Sequence, residues 1–234
     1  MPDPVGDLVR LVRQRLADEA DPARAEPMRA YMKSSMPYRG VTAQPLRAAC
    51  RAIFDAHPLP DRVAWESAVR ALWDEASYRE ERYAAVSLCA HRHYRAHQDP
   101  GTLPLYRHLV VSGAWWDHVD PVASQHVGGL LASYPVEVTP VIRAWAVDDD
   151  LWLRRTAVIC QLRRADGTDL DLLRDVLEAN LEDSLHGREF LVRKAVGWAL
   201  RQHARVDPDW VRAFVAEHEA RLSGLSRREA LKHL

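Results

Sequence analysis

Turn-forming residues interrupt this sequence at short intervals, and the segments between them have the periodicity of helices. Apolar residues recur every three or four positions, as do Leu8, Leu11, Val12 and Leu16, which places them on one helix face. The segments are about 10–18 residues long, the usual length of a globular helix, and no run alternates in the manner of a strand. The interruptions are helix-cap and turn signals at 21–22, 37–40, 57–60, 99–101, 112–113, 120–121, 134–135, 165–167 and 207–208. The sequence therefore predicts an all-α fold.

Short helices joined by tight turns favour a stack of helix pairs. Each pair spans about 35–45 residues, the size of a HEAT-like repeat, and a compact helical bundle is the structural alternative. No linker divides the chain, so we expect one domain over residues 1–234, and we expect residues 226–234 to form a frayed terminal helix. A solenoid of this kind binds an extended partner on its concave face, which leaves protein, peptide and nucleic acid open.

The charge balance gives the chain no overall attraction to nucleic acid. Its 234 residues carry a formal net charge of −1, so any DNA binding must come from a local basic face. No apolar run is long enough to cross a membrane. The first residues lack a basic region followed by an apolar stretch, so we expect a cytoplasmic protein, and we expect it to be a monomer.

Cysteine and histidine spacing predicts neither a metal site nor a cofactor. The cysteines lie far apart, each beside alanine or an aliphatic residue, which is typical of buried free thiols in a reducing compartment. They are Cys50, Cys89 and Cys160. His91 and His93 are two apart on a predicted helix, so we expect them to face different directions, and His118 has no partner at ligand spacing. No nucleotide-binding or nucleophile motif is present.

Two side chains lie on the wrong face of their helices for a core. Trp198 falls outside the apolar stripe of its helix and shares a face with Lys194 and Arg201. It either packs against a neighbouring helix or offers an aromatic platform beside phosphate-binding cations. Arg155 has aliphatic neighbours one turn away in both directions, so its guanidinium needs an internal salt bridge or a phosphate in the concave face.

The stretch 113–121 combines two adjacent tryptophans with two aspartates. Asp120 followed by Pro121 is typical of a helix start, with aspartate as the N-cap and proline as the first helical residue. Trp116 precedes Asp120 by about one turn if the stretch is helical. A carboxylate beside an indole wall is an arrangement that stabilises a cation.

Five strings that run in order over most of the chain resemble a known family. They lie at 31–33 with 37–41, at Trp73 with 78–85, at 115–120, at 151–157 and at 189–201. On these strings the chain resembles the AlkD branch of the DNA alkylation repair family, which consists of HEAT-like repeat DNA glycosylases. The tryptophan-aspartate string and the Gly197-Trp198 string are specific in combination.

The resemblance implies a fold and an activity. The fold is a solenoid of about six HEAT-like helix pairs whose concave face holds double-stranded DNA. The activity is excision of cationic N3- and N7-alkylated purines, such as 3-methyladenine and 7-methylguanine, while the lesion stays stacked rather than flipped. Carried over to this chain, Trp116, Asp120 and Trp198 surround the deoxyribose of the lesion.

The resemblance also implies the DNA contacts. Arg155 holds a backbone phosphate near the lesion, and Tyr31 contacts the DNA. Phe190 is a further DNA contact, and the position beside it, often aromatic in the family, is Leu191 here. Lys194 and Arg201, the cations that share the Trp198 face, complete the set of predicted DNA-binding residues.

The predicted residues suit this chemistry. A purine alkylated at N3 or N7 is already cationic, so its departure needs no general acid. The charge that develops is an oxocarbenium ion on the sugar, as in glycoside hydrolysis. Asp120 can stabilise that cation and orient a water, and the indole faces of Trp116 and Trp198 add cation–π stabilisation.

Two alternatives remain open at this point. One is a specialised self-resistance glycosylase that removes bulky purine adducts, because a site that does not enclose the base tolerates bulk. The other is a non-catalytic HEAT-repeat module that binds DNA or protein, which the near-neutral charge favours.

Overall fold

The computed structural model describes residues 3–234, and it is helical along that range. Within these residues there are fourteen α-helices, three short 3-10 helices, one π-helical segment and no strand. The all-α prediction is therefore confirmed. The helices cluster into two compact units, one ending at Gln98 and the other spanning Asp99–Leu234. The assignment of one domain to the whole chain stays a prediction.

The first unit contains five α-helices. They are α1 (Pro4–Asp18), α2 (Pro22–Met32), α3 (Ala43–Ala56), α4 (Arg62–Asp74) and α5 (Arg79–Cys89), followed by a 3-10 helix at Arg92–His97. Aspartates cap three of these helices, because the side chains of Asp3, Asp21 and Asp61 accept hydrogen bonds from first-turn amides. α1 packs on α3 and α4, and α5 packs on the same two helices. Trp65 and Trp73 of α4 are fully buried.

A buried carboxylate holds the loop between α2 and α3. Glu80 has no exposed surface and accepts hydrogen bonds of 2.9 to 3.2 Å from the backbone amides of Arg39, Gly40 and Val41. Gly40 has a φ of 84°, and a Cβ there would lie 2.1 Å from the carbonyl oxygen of Asp21. Glycine is therefore required at the point where the loop passes the start of α2.

The second unit contains nine α-helices. They are α6 (Leu103–Gly113), α7 (Trp116–Pro121), α8 (Gly128–Ser133), α9 (Pro135–Ala146), α10 (Leu151–Ile159), α11 (Leu170–Glu178), α12 (Phe190–His203), α13 (Pro208–Glu217) and α14 (Gly224–Ala230). α10 packs on α12 and α12 packs on α14, while α9 packs on α11. Packing of a helix on its next-but-one neighbour is the arrangement that a stack of helix pairs produces. One apolar core cluster of this unit is built mainly from residues of α10 to α14.

The predicted helix start at Asp120-Pro121 is wrong. α7 begins at Trp116, and Trp115 is its extended N-cap residue with a φ of −156° and a ψ of 147°. Proline has no amide hydrogen to donate to the carbonyl four residues earlier, and the helix widens into a π-helical segment at Val122–Val127 before it continues as α8. Asp120 therefore lies inside a continuous helical run, and its side chain is not used as a cap.

The expectation of a frayed terminal helix is also wrong. Ala230 has no exposed surface, and Ser226 is 2% exposed. The Ser226 hydroxyl donates a 2.9 Å hydrogen bond to the carbonyl of Arg193 in α12. α14 is thus docked on α12.

The prediction that His91 and His93 face different directions is wrong as well. His91 is extended, with a ψ of 139°, and precedes the 3-10 helix at Arg92–His97, so helical spacing does not apply between the two residues. Both Nε2 atoms lie within 4.0 Å of the Asp55 Oδ1 atom. By contrast, the prediction for the cysteines is confirmed: all three are buried and free. No helix in residues 3–234 is long and apolar enough to span a membrane.

Candidate active site

Asp120 and Arg155 form a two-point ion pair. The Nε atom of Arg155 lies 2.8 Å from Oδ1 of Asp120, and its NH2 atom lies 2.8 Å from Oδ2. The Arg155 side chain is 5% exposed and that of Asp120 is 16% exposed. Of the two alternatives that the sequence leaves open for Arg155, the internal salt bridge is the one observed. Parallel N–H···O bonds of this kind fix the plane of the carboxylate as well as its position.

The environment of Asp120 disfavours its charge. Burial raises the pKa of Asp120; hydrogen bonding and charge attraction from Arg155 oppose this effect, and the nearby Asp117 adds to it. The net pKa lies above the ordinary value for aspartate. Because the folded-state pKa exceeds the unfolded one, the stability linked to this group is present at low pH and is lost as the pH rises through the raised pKa. A carboxylate whose charge is disfavoured by burial is stabilised by any cation that approaches it.

Arg155 also connects the pair to a third helix. Its NH1 atom donates to the carbonyl oxygen of Leu191, in the first turn of α12. Asp120 of α7, Arg155 of α10 and the start of α12 are therefore joined by one guanidinium. Of its five N–H donors, three are used in these contacts, which leaves one on each terminal nitrogen.

The two tryptophans at 115 and 116 have different positions. Trp115 packs on Trp152, with ring centroids 6.0 Å apart, and is the residue before α7. Trp116 begins α7 and is partly exposed. It precedes Asp120 by four residues in the same helix, so the indole and the carboxylate lie about one turn apart. The structure thus confirms the helical spacing on which their pairing in sequence depends.

Trp198 lies in the middle of α12 and is partly exposed. It packs against the apolar core of the second unit, as one of the two sequence interpretations expects. The partial exposure leaves part of the indole free of that core. α12 packs directly on α10, the helix that carries Arg155.

Lys194 and Arg201 meet on a single carboxylate. Lys194 Nζ lies 3.1 Å from Oε1 of Glu229 in α14, and Arg201 donates a hydrogen bond to Oε2 of the same residue. The hydrogen bond from Lys194 lowers the pKa of Glu229, against an opposing effect of burial, so the carboxylate stays ionised. The two predicted DNA-binding cations of α12 are therefore partly neutralised within the protein.

A glycine permits this contact. A Cβ at Gly197 would lie 2.6 Å from the Cβ of Glu229 and 3.0 Å from the Cα of Ser226. Only glycine allows α14 to approach α12 so closely at this point. The Gly197-Trp198 string thus combines a packing requirement with a partly exposed indole.

The remaining predicted DNA contacts are exposed aromatic side chains. Phe190, the first residue of α12, is 56% exposed, and Tyr31 near the end of α2 is 75% exposed. Phe190 belongs to the second unit and Tyr31 to the first. Exposed aromatics of this size suit contact with a partner.

Sequence reasoning missed two groups at this site. Glu229 lies in the stretch expected to fray, and the burial of Ala230 beside it, which marks docking, is visible only in the structure. The Leu191 carbonyl gives no sequence signal, because any residue supplies a carbonyl. Its use depends on where the first turn of α12 lies.

Comparisons with known proteins agree with the earlier resemblance. The family model for "DNA alkylation repair enzyme" matches residues 12–234. No match was found among curated proteins. A solved structure described as a "Predicted DNA alkylation repair enzyme from Enterococcus faecalis" is similar at a TM-score of 0.81 and 28% sequence identity, covering 92% of this chain and 97% of that chain. Since the family model spans nearly the whole chain, the protein belongs to the family of DNA alkylation repair enzymes.

Proposed function

We propose that this protein is a DNA glycosylase that excises cationic N3- and N7-alkylated purines from duplex DNA. The observation that carries the proposal is the buried two-point ion pair between Asp120 and Arg155. Membership of the DNA alkylation repair family supports DNA as the partner.

Asp120 is the proposed catalytic residue. Both of its oxygens accept from Arg155, but a carboxylate has about four lone-pair positions, so each oxygen keeps acceptor capacity. One oxygen can lie against C1′ of the lesion sugar, where the oxocarbenium charge develops, and the other can orient the attacking water. The C1′–N bond breaks with both of its electrons going to the alkylated base, which cancels the positive charge of the ring, so the base departs neutral without a proton donor.

Arg155 is proposed as a positioning residue for Asp120. Its charge lowers the pKa of Asp120 and so opposes the larger effect of burial, and its contact with the Leu191 carbonyl fixes the guanidinium plane. The two unused N–H donors provide the phosphate contact that the family resemblance implies. Arg155 can position Asp120 and contact a phosphate at the same time, because the two unused N–H donors are separate from those that bind Asp120 and Leu191.

Trp116 and Trp198 are proposed to complete the cation site, and the rest of the predicted set to bind DNA. An indole face attracts a cation, and both residues keep exposed surface. Phe190 and Tyr31 offer exposed rings, and Lys194 and Arg201 offer charge once Glu229 releases them. The partner we propose is double-stranded DNA, bound by a monomer.

Base release from methylated duplex DNA tests the proposal. We expect the wild type to release 3-methyladenine and 7-methylguanine in single-turnover assays, and Asp120→Asn to slow release by about 10²-fold or more, the usual cost of a group that stabilises transition-state charge. Neutral damaged bases should be released far more slowly, because they lack the activated leaving group. No release by the wild type, or equal rates for both proteins, would refute the catalytic role.

Two further variants keep the result interpretable. Asp120→Asn leaves the Arg155 charge buried and unpaired, which is destabilising, so the neutral pair Asp120→Asn with Arg155→Gln should be tested beside it. Asp175→Asn is the matched control, because it breaks an exposed aspartate-arginine pair with Arg143, 2.7 Å apart. We expect the control to keep wild-type activity and the neutral pair to stay folded and inactive.

A further inference from the structure

Three side chains of metal-ligand type converge in the first unit. Asp55 lies at the end of α3, and His91 and His93 follow α5. His91 Nε2 lies 3.0 Å from Asp55 Oδ1, and His93 Nε2 lies 4.0 Å from the same oxygen. One ligand atom from each residue lies within 4.8 Å of the other two. The sequence spacing alone predicts no such meeting.

The backbone explains why the histidines meet. His91 is extended and Arg92 starts the 3-10 helix, so the two imidazoles approach the same carboxylate although they are only two residues apart. Their rings meet edge to face, with centroids 4.7 Å apart. The Phe54 ring also contacts the His91 ring, with centroids 5.5 Å apart. Packing against neighbouring rings therefore fixes the position of the His91 side chain.

We propose that Asp55, His91 and His93 form a site for a divalent transition-metal ion of the Zn²⁺ class. Two imidazole nitrogens and one carboxylate oxygen are a ligand set that such ions prefer, with water in the open position. Bonds of about 2.0–2.1 Å in a tetrahedron place ligand atoms about 3.3 Å apart. The His91–Asp55 separation of 3.0 Å is close to this value, and His93, whose side chain is 32% exposed, can rotate to shorten its 4.0 Å separation.

Arg92 is the competitor at this site. Its guanidinium lies 2.9 Å from Asp55 Oδ1 and occupies the oxygen that a metal would use. The Arg92 side chain is 66% exposed, so it can move into solvent at little cost. Metal binding must displace it, which predicts that removing the Arg92 charge strengthens metal affinity. A cluster held together only by ion pairing predicts no such gain.

Zn²⁺ binding to the full-length protein tests the inference, by calorimetry and by the shift of the melting temperature. We expect one ion per chain, affinity at least about tenfold weaker in His93→Gln, and tighter binding in Arg92→Gln. The matched control is Glu217→Gln, which alters a second group of ligand type formed by Glu178, Glu217 and His218 in the other unit. That variant should bind as the wild type does.

Each outcome decides the matter. Absence of Zn²⁺ binding, binding that His93→Gln leaves unchanged, or binding that is lost in Glu217→Gln would overturn the proposal. His93 is partly exposed, so its replacement should leave the fold intact, and circular dichroism checks this. The nitrogen chemical shifts of the two imidazoles give a second readout, because Zn²⁺ should move both Nε2 resonances in the wild type.

Discussion

Removal of the Glu229 charge should strengthen DNA binding. Glu229 holds both Lys194 and Arg201, so these two cations are engaged before any DNA arrives. Glu229→Gln keeps the shape of the side chain and removes the attraction. If the α12 face contacts the DNA backbone, as we propose, both cations become available to phosphates.

The magnitude follows from the number of released cations. Each phosphate that a protein cation neutralises on duplex DNA changes the slope of log K against log salt by about −0.9. Two released cations therefore steepen the slope by up to about 1.8. Arg201 is 24% exposed and Lys194 is 42% exposed at the side chain, so Lys194 is the freer of the two, and a change of about 0.9 is the lower expectation.

The assay is fluorescence anisotropy with an unmodified duplex at several salt concentrations. Asp209→Asn is the control, because it removes one negative charge and frees one exposed arginine, Arg212, at 2.8 Å. A double-mutant cycle adds Lys194→Gln to both backgrounds. Lys194→Gln should weaken DNA binding more in the Glu229→Gln background than in the wild type, since only there is Lys194 free to bind phosphate.

Two results would refute the reasoning. An unchanged slope in Glu229→Gln would mean that α12 does not face the DNA backbone. Equal changes in Glu229→Gln and Asp209→Asn would mean that net charge alone controls affinity. The loss of part-buried ion pairs should cost on the order of 1 kcal/mol of stability, so binding is to be measured well below the melting temperature.

Three further predictions concern other parts of the chain. Gly40→Ala should lower the free energy of unfolding in urea by more than about 2 kcal/mol, because Gly40 has a positive φ and a Cβ would meet the Asp21 carbonyl; an unchanged value contradicts this. The rate of single-turnover base release should fall as the pH is lowered through the raised pKa of Asp120. Arg155→Gln should move this fall to higher pH, because Arg155 lowers the pKa of Asp120. A shift of the fall to lower pH would contradict this reasoning. The cysteine thiols should resist thiol reagents in the native protein at neutral pH and react on unfolding, since burial raises their pKa, to about 12 in Cys50 and Cys160. Reaction of these thiols before unfolding would contradict this prediction. The thiols are those of Cys50, Cys89 and Cys160.

Periodicity and cap chemistry made most of the fold predictable from sequence. An aspartate before a proline supplies both a cap acceptor and a fixed φ, and the helix starts at Pro22, Pro100 and Pro208 are all of this kind. The same pair at Asp120-Pro121 misleads, because a proline within a helix is accommodated there by a π-helical segment. Local sequence does not distinguish a proline that starts a helix from one that widens it.

The residues proposed for the candidate site stand out in the sequence, but their contacts with one another do not. The face of α10 shows that Arg155 needs a partner, but Asp120 is 35 residues away, and no periodicity links them. Lys194 and Arg201 share a face by helical spacing, whereas their contact with Glu229 depends on the close approach of α14 at Gly197. The meeting of His91 and His93 depends on one extended residue. In each case the missing information is tertiary.

The π-helical segment at Val122–Val127 sets the rotational phase of two helices independently. A π turn inserts one residue into an α-helix, and one residue corresponds to a rotation of about 100°. α7 can therefore direct Trp116 and Asp120 toward one side while α8 buries Leu130 and Leu131 on another. A single-residue deletion within this segment would restore a regular helix. The chain could then no longer orient the α7 face with Asp120 and the buried α8 face with Leu130 independently. In this segment chain length, as well as side-chain identity, decides whether the carboxylate of Asp120 can reach Arg155 while α8 stays buried.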